Sequence, residues 1–317
     1  MYRSLSAEIL GVTGRQSELI ELALTHRFKG LDIDMESFAR QAEKRGLEYA
    51  SRCLNSASKT AGLKIGAWLL PVRWQAADDR FKEDLQHLPA LANTAKSIGA
   101  TRCFTWVMAG HNELPLKENF DFHSNRVAEI AERLAPHGIS LGLGFHAAVK
   151  ARAGLEHQFI TSADALVTLI QMISADNVGL HLDTWNWFLG SGTLDQLEKL
   201  GPTKIVGVRV ADVPAKATAD TVELNQRLLP DPAGVVPNAA ILGKLHDIGY
   251  GGPVTPYPHI SQCKGIPRDK VVQRAAESLR GVWPGAELLR EAAAEAEEEA
   301  KLAGPIEEPE ITLPVST

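Results

Sequence analysis

The chain has 317 residues, 44% hydrophobic and 23% charged, with 33 Lys+Arg against 39 Asp+Glu for a formal net charge of -6. A slightly acidic balance without a basic cluster excludes nucleic acid and anionic membranes as partners, and no apolar run approaches the ~20 residues that span a bilayer. The three cysteines, Cys53, Cys103 and Cys263, lie far apart without metal-ligand spacing. The N-terminus carries no charged-then-apolar export signal, so a cytoplasmic protein with reduced thiols and small-molecule partners is expected. Homo-oligomerisation is left open.

In chain order, Glu8–Val12 reads as a first strand, followed by a helix with Leu19, Ile20, Ala23, Leu24 and Phe28 on one face. Gly30 ends that helix. A second strand, Leu31–Met35, alternates so that Asp32 and Asp34 face inward. Helical composition runs from Met35 to about Thr60, and Leu63–Leu70 forms a third strand with Lys64, Gly66 and Trp68 on the face opposite Leu63, Ile65, Ala67 and Leu69. The next helix carries Phe81, Leu85, Leu88, Ala92 and Ala95, and Pro89 should kink or divide it. Thr101–Met108 is the fourth strand, ahead of a loop with His111. Ile139–His146 is the fifth, with Gly142, Gly144 and His146 inward.

The most informative stretch is Asn177–Gly190, in which Val178, Leu180 and Leu182 alternate with Gly179, His181 and Asp183 before two tryptophans. This is the pattern of a barrel strand, and it places Asp183 at the C-terminal mouth where such enzymes keep their chemistry, or else as a cap on the following helix. His181 would lie one layer deeper in an internal hydrogen bond. Ile205–Ala211 is the seventh strand, with Gly207, Arg209 and Ala211 toward the axis. The proline-rich segment 212–237 is a lid loop, Gly249–Pro258 contains the last strand, and a final helix starts near Pro267. Eight strands alternating with helices predict a single (β/α)8 TIM barrel over residues 1–285, followed by a helical extension over 286–303 and a disordered tail over 304–317. A doubly wound sheet is disfavoured because Val12-Thr-Gly-Arg-Gln16 is no phosphate-binding glycine turn.

Four blocks, Asn177-Val-Gly-Leu-His-Leu-Asp-Thr-Trp-Asn-Trp187, Val208-Arg-Val-Ala-Asp-Val-Pro214, Arg227-Leu-Leu-Pro230 and Gly249-Tyr-Gly-Gly-Pro-Val-Thr-Pro-Tyr257, occur in the order seen in xylose isomerase-like barrels. From about Ser6 to Arg280 the chain resembles the sugar-phosphate isomerase/epimerase group of that superfamily. The resemblance implies a divalent metal, Mn²⁺ or Mg²⁺, held by Glu, Asp, His and Glu from strands five to eight, the two glutamates moving the proton. By position these four are Gly144, Asp183, Arg209 and Tyr257, so Asp183 is the sole match. Asn186 stands where relatives often carry a histidine.

One carboxylate beside a glycine, an arginine and a tyrosine cannot saturate a divalent cation, so no metal and no other cofactor is expected. Arg209 would take over the metal's electrostatic role, paired within ~4 Å of Asp183, Asp34 or Asp32 because an unpaired inward charge is costly. Two functions follow. The first is a sugar isomerase or epimerase with Asp183, His146 and Tyr257 as catalytic residues. The second is a catalytically silent barrel that binds a carbohydrate or anionic metabolite. In either, Arg209, Arg227, Trp185, Asn186, Trp68, Trp106 and Asp34 form the binding set, Arg227 reaching over the mouth from the lid. DNA repair, the chemistry of the superfamily's endonuclease branch, would need a metal cluster and a basic surface.

Overall fold

Short buried strands alternate with amphipathic helices throughout the computed structural model, which describes residues 1–285. In chain order the strands are β1 Tyr2–Leu5, β2 Gly30–Leu31, β3 Lys64–Ile65, β4 Trp68–Leu69, β5 Arg102–Trp106, β6 Gly110–His111, β7 Ser140–Gly144, β8 His157–Gln158, β9 Val178–Asp183, β10 Ile205–Val210 and β11 Pro253–Pro256. The helices are α1 Gln16–Thr25, α2 Met35–Arg45, α3 Leu47–Ala61, α4 Asp78–Ser97, α5 Leu116–Leu134, α6 Ala163–Met172, α7 Thr184–Leu189, α8 Leu194–Leu200, α9 Asn238–Asp247 and α10 Arg268–Gly281. Residues Met1–Val282 form one unit. The expected helical extension 286–303 and disordered tail 304–317 lie outside the described residues.

Nine strands make one parallel sheet in the order β3-β2-β1-β11-β10-β9-β7-β5-β4. Its two outer members, β3 and β4, are halves of a single segment: β3 pairs with β2 and β4 pairs with β5. The sheet therefore closes on itself as a (β/α)8 barrel, while β6 and β8 form a separate antiparallel pair. β9 and β10 are buried at every position, as staves covered by helices outside and by packed side chains inside must be. Two glycines make the inner packing possible. A Cβ on Gly142 would come 3.0 Å from the Cβ atoms of both His181 and Val206, and one on Gly207 would come 3.1 Å from His181 Nδ1, so both glycines make room around His181.

Several expectations need correction. The first strand is β1, whereas residues 7–12 wind into turns, with Gly11 N–H donating to Glu8 O and Val12 N–H to Ala7 O. Gly11 at φ +65° explains why an apolar-looking run cannot extend there. The single helix expected after Met35 is two, broken at Gly46, whose φ of +87° lies outside the helical region. Conversely, α4 passes through Pro89 as one helix. The third strand loses its alternation between β3 and β4. A side chain at Gly66 would run into Asp32, and Ala67 Cβ faces Gly207, so two consecutive residues point to the axis and Trp68 turns outward.

Candidate functional site

A cavity of about 460 Å³ opens at the C-terminal ends of the staves. Phe104 and Trp106 reach it from β5, His146 from just beyond β7, Arg209 from β10 and Tyr257 from just beyond β11. Trp185 and Asn186 enter from α7. Leu69 and the loop residues Glu8, Ile9, Leu224, Arg227, His259 and Ile260 complete the rim.

Asp183 lies directly behind this wall and is 3% exposed. It caps α7 by accepting from Trp185 N–H at 3.1 Å, and its Oδ2 accepts from Asn186 Nδ2 at 2.7 Å. Arg227 Nη1 donates to both Asp183 oxygens at 2.7 Å. The lid thus delivers the cation that Asp183 needs, and Asp183 serves as the cap of α7 from a position behind the cavity wall. Asn186 is also tied at both ends of its amide, since its Oδ1 accepts from Ala147 N–H at 2.9 Å.

Arg209 is not paired as expected. Its guanidinium lies 4.2 Å from the Phe104 ring centroid and 4.4 Å from that of Tyr257. Arg227 is likewise held over Trp185 at 4.5 Å and over Tyr257 at 4.3 Å, so Tyr257 is shared by both cations. Ring faces attract the charge without using the N–H donors, which point along the guanidinium plane. Among the described residues no carboxylate is within salt-bridge distance of Arg209, and no acceptor receives its N–H groups. The physical reason is competition. Asp183 is occupied by Arg227, Asp34 faces solvent as the N-cap of α2 and accepts from Ser37 N–H at 3.0 Å, and Asp32 is held by Ser4 and Thr255. Burial pushes the Asp32 carboxyl up to about 6, although Arg209 and those two hydroxyls favour its ionised form.

His146 stacks on Trp106, with centroids 5.2 Å apart. Burial lowers its pKa, opposed by Asp183 and assisted by Arg227, and among the described residues neither ring nitrogen is hydrogen-bonded. His181 does not make the expected internal hydrogen bond: both its nitrogens are buried without a partner, and the ring stacks on Phe104 at 4.0 Å. Burial and the nearby Arg209 charge hold it neutral.

The residues present do not fit the divalent metal that the resemblance implies. Asp183 has both oxygens committed to Arg227, and the guanidinium of Arg209 stands where an imidazole would donate. The place of the strand-five glutamate is filled, because a Cβ on Gly144 would come 2.6 Å from the Trp106 ring. Among the described residues no group of three or more His, Cys, Asp or Glu could hold a metal ion.

Of the ten residues read from the sequence, seven line the cavity and Asp183 backs it. Trp68 and Asp34 do not contribute. Trp68 is 1% exposed and donates from Nε1 to Ala100 O at 3.0 Å, behind the barrel wall, because of the shift in alternation at Gly66–Ala67. Phe104 was missed, although its i, i+2 relation to Trp106 places both on one face. Leu69 and Glu8 were missed with the misplaced strand parity and the misplaced first strand.

Comparison with curated proteins finds no match. Among solved structures, a xylose isomerase domain protein from Alicyclobacillus acidocaldarius subsp. acidocaldarius superposes with a TM-score of 0.79 at 23% identity, covering 89% of this chain and 98% of the other. The IOLI protein with a binding zinc atom gives 0.72 at 16% identity, covering 89% and 98%. L-ribulose 3-epimerase gives 0.56 at 16%, covering 97% and 99%. Identities this low establish the fold and leave the site to be argued from its own chemistry. The model of the xylose isomerase-like TIM barrel matches residues 11–282, and with the closed barrel described above the chain belongs to that family.

Proposed function

We propose that the barrel mouth binds a small anionic metabolite, with Arg209 as the anchor for the anionic group and no divalent metal taking part. The observation that carries this reading is the Arg209 guanidinium: 9% exposed, clamped against two rings, and with its donors open to the cavity. A buried cation without an acceptor is unfavourable until a ligand supplies one, and a planar guanidinium is suited to two-point contact with a carboxylate or phosphate. Isothermal titration calorimetry against sugar acids, sugar phosphates and neutral sugars tests it. Saturable binding of anionic compounds is expected, abolished in Arg209→Met while the melting temperature of that variant stays equal or rises. Equal binding of neutral sugars to both proteins would overturn the assignment.

Family membership and the epimerase relative support a second reading, sugar isomerisation or epimerisation. His146 favours it, being an imidazole kept neutral at the cavity wall with free nitrogens. It would take the proton from the hydroxyl-bearing carbon next to a carbonyl, the electron pair moving to the carbonyl oxygen, where Arg209 would stabilise the oxyanion. The hydroxyl proton would then pass to that oxygen and His146 would return its proton to the former carbonyl carbon, which completes an isomerisation. The protein would act in the cytoplasm; among the described residues no helix is long and apolar enough to cross a membrane.

A further inference from the structure

We infer that the ligand is a monoanion with an apolar body, a carboxylic acid bearing an aliphatic or aromatic group. This rests on the anion-binding reading above and adds what the remainder of the molecule must be. The first argument is charge. Arg227 is neutralised by Asp183, and Arg209, with Asp32 beyond salt-bridge distance, is left as the open cation in the mouth, while Asp32 below and Glu8 at the rim add negative charge that disfavours a dianion. A single positive charge matches a carboxylate and leaves a phosphate dianion half compensated.

The second argument is the polar inventory. A buried polyol needs a partner for each hydroxyl, since an unmatched one loses its water without replacement. Asn186 is committed at both ends of its amide and Asp183 at both oxygens. The lining groups left to a ligand are Arg209, the Nε and Nη2 donors of Arg227, His146 and the Tyr257 hydroxyl, with Glu8 and His259 at the rim. The guanidinium donors among them suit the acceptor-only oxygens of a carboxylate better than they suit hydroxyls, which also need acceptors. The walls are instead the rings of Phe104, Trp106, Trp185 and Tyr257.

The third argument is the rim. Leu69, Leu224 and Ile260 are 53%, 50% and 53% exposed, and all three stand around this one opening. Scattered exposed leucines mean nothing, but three gathered on a collar above a cationic floor form an amphipathic receptacle. The anion would seat on Arg209 and the apolar group against the collar.

Calorimetry with 3-phenylpropionate, gluconate and glucose separates the inference from the reading beneath it. We expect 3-phenylpropionate to bind at least tenfold more tightly than gluconate; that ratio is about 1.4 kcal/mol, the yield of burying about 60 Å² of apolar surface. The double variant Leu224→Ser, Ile260→Ser, both at exposed positions, should weaken 3-phenylpropionate several-fold and so narrow its advantage over gluconate; an undiminished advantage would overturn the inference. Gluconate binding as tightly as 3-phenylpropionate would overturn the inference and keep the anion site. Failure of both acids to bind, with or without binding of glucose, would overturn both.

Discussion

At the scale of residues, the site turns on which arginine Asp183 holds. Arg227 and Asp183 form a buried pair, with side-chain exposures of 12% and 1%. Removing one member of such a pair strands the other charge, which typically costs about 3–5 kcal/mol, whereas replacing both with neutral groups of similar shape costs much less. Arg227→Ala should therefore lower the melting temperature by several degrees, and Asp183→Asn with Arg227→Met should recover much of the loss. Calorimetric melting of the two variants checks this; an unchanged melting temperature in Arg227→Ala would show that water solvates Asp183. The sequence revealed that two arginines and one aspartate meet at the mouth. It did not reveal the pairing, because Arg227 arrives from an irregular loop whose path no periodicity encodes.

At the scale of elements, the lid over 212–237 is irregular yet tied down. Asp212 exchanges two backbone hydrogen bonds with Leu228, and its Oδ1 accepts from the N–H groups of Val213, Val235 and Val236 at 2.8, 3.0 and 2.9 Å. His259 N–H donates to Arg227 O at 2.8 Å, joining the lid to the loop after β11. One carboxylate gathering three amides at the two ends of a loop acts as its clasp. Asp212→Ala should raise hydrogen-exchange rates at Val235 and Val236 by tenfold or more, while amides of β9 and β10 keep their protection; uniform protection would assign the clasp to backbone contacts alone. Staves were legible wherever alternation persisted, as in β9 and β10. The reading failed at Gly66–Ala67 because one local irregularity inverts every later inside-outside assignment on that segment. It failed at Glu8–Val12 because apolar residues in turns resemble a strand when their burial is unknown.

At the scale of the whole molecule, its titration is set by groups folded in the neutral form. Burial lowers the pKa values of His123, to about 4, and of His146 and His181. An unfolded histidine titrates near 6.5, so below that pH the unfolded chain binds protons that the folded chain refuses, and stability falls as pH falls. Asp32 works the other way. Its pKa is raised from 3.8 to about 6, so its contribution is present in acid and lost as pH rises through 6. Three histidines against one aspartate leave the first effect dominant. Chemical denaturation at pH 7, 6 and 5 should show a declining midpoint, with a steeper decline in Asp32→Asn. A midpoint that rises toward pH 5 would contradict the burial of these imidazoles.

The closure of the barrel also has a consequence in time. β1 lies between β2 and β11, pairing Tyr2 with Pro253 and Arg3 with Val254. During vectorial synthesis at about 5–20 residues per second, β1 gains its first neighbour within seconds, but its second emerges about 11–45 s later. Through that interval the nascent chain carries an unpaired strand edge, and the seam at β3 and β4 can close only on a partly built sheet. Slowing translation between β2 and β11 should therefore lengthen the exposure of that edge, making soluble yield sensitive to codon choice in the middle of the message.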